Sequence, residues 1–78
     1  MIAERVKAVV AEQFDVEEDD ITNDLSFAEL GADTFDLEEF VEALAGEFEI
    51  EIPPEYAESI ETVGDAVNCV KKLLRGGG

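Results

Sequence analysis

Seventy-eight residues make one small domain, with no room for a second core. Five basic side chains stand against 21 acidic ones, there is no histidine, and the formal net charge is −16. Such a chain is repelled by nucleic-acid phosphates and anionic membrane surfaces, and it cannot build a Ser-His-Asp or Cys-His pair or the usual zinc site.

The first segment reads as a helix. Ile2, Val6, Val9, Val10 and Phe14 recur on one face of a 3.6-residue period, and the helix is expected to stop near Asp15. Residues 15–32 form a long connection without sustained periodicity. Val16, Ile21, Leu25, Phe27 and Leu30 recur through it, so it is expected to be pinned to the core. Loops of this length usually contain a short element, and a helical turn is expected around Ser26–Leu30.

Gly31 punctuates the chain. Asp33 is an N-cap candidate with Asp36 three residues on. Leu37, Phe40, Val41, Leu44 and Phe48 then define a second amphipathic helix over 34–48. Its other face carries Asp36, Glu38, Glu39, Glu42 and Glu47 without a base among them. Residues 49–54 alternate like a strand, but one strand has no sheet to join, and Pro53–Pro54 favour an extended connector. A short helix over Glu55–Ile60 follows, with Pro54 at its first turn. Thr62 caps the last helix with Asp65 in a capping-box spacing. Its stripe is Val63, Ala66, Val67, Val70, Leu73 and Leu74, and Lys71, Lys72 and Arg75 complement its dipole. Three longer helices and one short one give an all-α class, a small four-helix bundle with a long first loop. Residues 1–75 make the domain, and Gly76–Gly78 a disordered tail.

The five bases (Arg5, Lys7, Lys71, Lys72, Arg75) lie near the ends, while residues 8–70 hold 20 of the 21 acids and no base. A helical face left wholly acidic is either solvated or a docking surface for a basic partner, since mixed charges would serve a solvated helix better. The acids at 17–24 fit no EF-hand frame, because glycine and glutamate are missing at the sixth and twelfth positions. Cys69 sits in an apolar pattern and reads as a core thiol. A single cysteine suits a reducing compartment, the apolar runs are too short to span a membrane, and MIAERVKAVVAEQF lacks a signal-peptide layout. A cytoplasmic, monomeric protein that is not an enzyme and holds no metal is the expectation. On local physics Thr34 is a polar residue in a first helical turn, or a hydroxyl placed where a phosphate would be stabilised.

The chain resembles the acyl carrier proteins of dissociated (type II) fatty-acid and polyketide synthases over nearly its whole length. The marks are Ile21-Thr22-Asn23, Ser26-Phe27, Leu30-Gly31-Ala32-Asp33-Thr34-Phe35-Asp36, Glu47-Phe48, Glu51-Ile52-Pro53, Ala57-Glu58 and Thr62-Val63-Gly64-Asp65-Ala66. The resemblance implies a four-helix carrier that holds acyl chains as thioesters on a 4′-phosphopantetheine arm attached to a serine, and Thr34 stands at that position. It implies basic-patched partners, among them a ketoacyl synthase and a phosphopantetheinyl transferase, docking on Asp33, Asp36, Glu39 and Glu47. It implies an acyl pocket near Phe27, Phe40, Leu44, Ala57 and Ile60.

Three features depart from the family pattern. Threonine adds a methyl that crowds the hydroxyl and stiffens χ1, so Thr34 is expected to stay bare or to be modified inefficiently. Phe35 and Phe40 are bulkier than the family's aliphatics and are expected to narrow the pocket. The stretch before Gly31 is about one residue short of the family's length. The competing readings are a carrier-derived acidic interaction protein that no longer carries acyl chains and, last, an acidic nucleic-acid mimic.

Overall fold

The computed structural model describes residues 1–76. Four helices appear in chain order: α1 (Ile2–Phe14), α2 (Thr34–Phe48), α3 (Pro54–Glu58) and α4 (Val63–Gly76). No strand occurs among the described residues, so the expected all-α bundle is the fold. The glycine tail expected to be disordered lies, past Gly76, outside the described residues.

Apolar periodicity decides which faces meet. α1 packs against both α2 and α4. Val6, Val9 and Val10 from α1 bury with Phe40, Leu44 and Phe48 from α2 and with Val63, Ala66, Val67 and Val70 from α4. Three aromatics fill the interior. Phe14, Phe27 and Phe40 have centroids 4.9–5.9 Å apart in tilted pairs, the spacing that ring quadrupoles favour.

The boundaries follow from capping. Asp15 ends α1 in a left-handed conformation (φ 57°) and Glu49 ends α2 the same way (φ 56°). Pro54 opens α3 at its first turn, where its missing N–H costs nothing. α3 stops at Glu58, two residues before the expected Ile60, because Ser59 closes it and donates its hydroxyl to the Tyr56 carbonyl at 2.8 Å. At α4, the Asp65 amide donates to Thr62 Oγ1 at 3.1 Å, and Asp65 Oδ2 accepts from the Glu61 and Thr62 amides.

The long first loop is ordered by two 3-10 turns, Glu18–Asp20 and Phe27–Leu30. The second is the expected turn, closed by a Ser26–Glu29 capping box. The first had no periodic signal. Ile21 and Phe27 plug the loop into the core. Backbone bonds then tie it to the start of α4: Phe27 N–H to Glu61 O (3.0 Å), Val63 N–H to Leu25 O (3.0 Å) and Gly64 N–H to Asn23 O (2.9 Å).

Candidate functional site

The site begins at the first turn of α2. Gly31 turns the chain at φ 79°, a conformation that glycine adopts without strain. Asp33 then caps the helix. Its Oδ1 accepts from the Asp36 amide at 2.9 Å, and Asp36 Oδ2 accepts from the Asp33 amide at 3.1 Å. This reciprocal box fixes where α2 starts and makes Thr34 its first residue. Thr34 is exposed, as is Phe35 beside it at 64%.

Thr34 opens onto a groove of about 520 Å³ between α2 and α3. Leu37, Val41, Pro54, Ala57 and Ile60 give it an apolar lining. Three exposed carboxylates, Glu38, Glu42 and Glu58, line it as well.

The residues expected to form one acyl pocket fall into two places. Ala57 and Ile60 line the groove. Phe27, Phe40 and Leu44 are closed into the core at 0–1% exposure, because the aromatic trio fills the space between helices. Leu37 and Val41 belong to the same α2 stripe, yet they are half-buried and line the groove. They stand at the edge of the stripe that faces α3, a helix of only five residues.

The expected docking acids also divide. Glu39 is exposed on α2. Asp33 and Asp36 are occupied in the helix cap. Glu47 is held by Arg5 of α1, whose Nε donates to Glu47 Oε2 at 3.0 Å. The α2 acids are therefore not all without a base, as the local sequence suggested.

Cys69 is buried in α4, and burial pushes its thiol pKa up, with the nearby Lys72 charge pulling weakly the other way. This suits a packing residue rather than a nucleophile. No cluster of three metal-ligating side chains occurs among the described residues, and no described helix is long and apolar enough to cross a membrane.

A family model described as "phosphopantetheine attachment site" matches residues 4–70. The match spans most of the chain and contains α2, α3, the groove and Thr34.

Proposed function

The chain belongs to the phosphopantetheine attachment-site family, whose domains carry acyl groups and are not themselves catalysts, and from that premise we propose that it is a monomeric, cytoplasmic acyl carrier of the dissociated type with its arm position at Thr34. It would serve fatty-acid or polyketide synthesis. One observation carries the reading: an exposed hydroxyl on the first residue of a 15-residue helix opens directly onto an apolar groove.

The residues present fit such an arm. Thr34 supplies the oxygen for a phosphodiester. The positive dipole end at the start of α2 favours the phosphate, while Asp33 already takes the Asp36 amide. The arm, when attached, supplies a terminal thiol that holds acyl groups as thioesters. The chain's own residues orient and shelter the cargo: Leu37, Val41, Ala57 and Ile60 offer it apolar surface beside the attachment point. The acids of α2 face basic partner enzymes, synthases and transferases. Among these acids Glu39 is engaged neither in the helix cap, which Asp33 and Asp36 form, nor with Arg5, which holds Glu47.

The methyl of Thr34 favours a second reading, in which the fold and acidic helix persist as an interaction protein without an arm. The test is incubation of the unaltered chain, beside its Thr34→Ser variant, with coenzyme A and a broad-specificity phosphopantetheinyl transferase, read by intact mass. Slow gain of one arm by the unaltered chain, mapped to Thr34, and ready gain by the serine variant are the expected results. A serine variant that loads while the unaltered chain gains no arm would leave the interaction protein, and failure of both to load would overturn the carrier reading.

A further inference from the structure

The groove beside Thr34 has an unusual border. Its floor is apolar, and three of its lining residues carry carboxylates: Glu38 and Glu42, one helical turn apart on α2, and Glu58 at the end of α3. No lysine or arginine among the described residues lines it. Arg5 is engaged with Glu47 at the far end of α2, and Lys72 lies 5.6 Å over the Tyr56 ring on α4's side of α3. The field at the groove is therefore negative and uncompensated by its own lining.

We infer that this groove admits uncharged acyl chains and rejects chains ending in a carboxylate, with Glu38, Glu42 and Glu58 as the specificity-determining residues. The inference rests on the carrier reading for its occupant, a chain tethered at Thr34. The apolar lining rewards burial of methylenes. A terminal carboxylate brought among three like charges is repelled and is also partly desolvated, so it stays in bulk water. Neutral and carboxylated cargoes would then differ in where they rest. The neutral chain is sheltered along α2 and α3, and the carboxylated one is displayed to partner enzymes. Replacing the three glutamates by glutamine keeps their size and removes the repulsion.

The test avoids the transferase, so a failure of arm loading and a failure of this inference are read separately. A Thr34→Cys/Cys69→Ala variant is joined by a disulfide to an alkyl or an ω-carboxyalkyl group of equal length, each delivered as its methanethiosulfonate so that methanesulfinate leaves. Intact mass confirms one adduct, and circular dichroism confirms the helical fold. Methyl NMR of Leu37, Val41, Ala57 and Ile60 at low salt then reports occupancy. The alkyl adduct is expected to shift these methyls. The carboxylated adduct should occupy the groove about fivefold less, and added salt should narrow the gap. In the Glu38→Gln/Glu42→Gln/Glu58→Gln background the gap between the adducts should shrink and lose its salt dependence, leaving the part due to desolvation of the cargo carboxylate, and a gap unchanged by these substitutions would overturn the inference. Equal shifts from both adducts with the glutamates in place would overturn the inference, as would no shift from either.

Discussion

Arg5 of α1 grips Glu47 of α2 across 42 residues of sequence. Its Nε donates to the Glu47 carboxylate at 3.0 Å, its Nη2 donates to the Glu47 carbonyl at 2.9 Å, and its guanidinium lies 4.4 Å from the Phe48 ring centre. One side chain thus pairs an acid, satisfies a carbonyl in the last turn of α2 and covers an aromatic. The ion pair alone is exposed and worth little. The carbonyl bond and the ring contact add to it. Arg5→Ala is expected to lower stability by about 1–2 kcal/mol, and Glu47→Gln by less than about 1 kcal/mol, in urea denaturation. Equal losses would show that the ion pair is the whole contribution.

Structural duties separate the proposed docking acids. Reversal at Asp33 or Asp36 would damage the helix cap at a cost of about 1 kcal/mol, so weaker partner binding by those variants would be ambiguous. Glu39→Lys leaves the cap untouched. It is expected to weaken binding to a ketoacyl synthase severalfold at low salt, with unchanged thermal stability, and the difference should shrink as salt rises. Affinity indifferent to Glu39→Lys would remove that face from the docking surface.

Two acids hold left-handed backbone positions where glycine is the usual helix terminator. Glu49→Gly relieves the φ 56° conformation and removes one charge from a chain at −16, so it is expected to raise stability by about 0.5–1 kcal/mol. A fall in melting temperature would contradict this account of the α2 terminus.

Gly64 is required for a different reason, close approach. A Cβ there would lie 3.0 Å from the Asn23 carbonyl oxygen, the atom that accepts the Gly64 amide at 2.9 Å. Backbone cannot swing aside as a side chain can. Gly64→Ala is expected to cost about 1–3 kcal/mol and to speed amide exchange at Gly64 and Phe27 together. Unchanged protection would mean that the loop is anchored by Ile21 and Phe27 alone.

Cys69 contributes to the alkaline pH dependence. Burial raises its folded pKa above the ordinary 9.0, so folding resists ionisation of the thiol. Stability is unaffected below the unfolded pKa and falls as pH rises from there through the folded value. Denaturation above pH 9 should show this slope, and Cys69→Ala should reduce it. An identical slope in both proteins would assign the alkaline loss to other groups.

Most helices were legible because their stripes and caps are local. Asp33 with Asp36, Thr62 with Asp65, and Leu37 through Phe48 each act within a few residues, and α2 occupies the span its periodicity indicated. The Glu18–Asp20 turn was not legible, since a run of acids carries no apolar period. Nor was the Arg5–Glu47 pairing, which depends on α1 lying beside α2. The groove was legible only in part. Of the residues that the resemblance implies for an acyl pocket, Ala57 and Ile60 line the groove, while Phe27, Phe40 and Leu44 share the same apolar character and are enclosed. Composition cannot tell a wall of a groove from the interior behind it.

The measurement that bears most directly on the account is the rate at which the unaltered chain gains an arm at Thr34, relative to its Thr34→Ser variant. Both are followed by intact mass over a time course with coenzyme A and one transferase. The crowded secondary hydroxyl should react at least about tenfold more slowly while the serine variant loads to completion, because small displacements of a reacting oxygen cost rate steeply. Equal rates for the two proteins would contradict it.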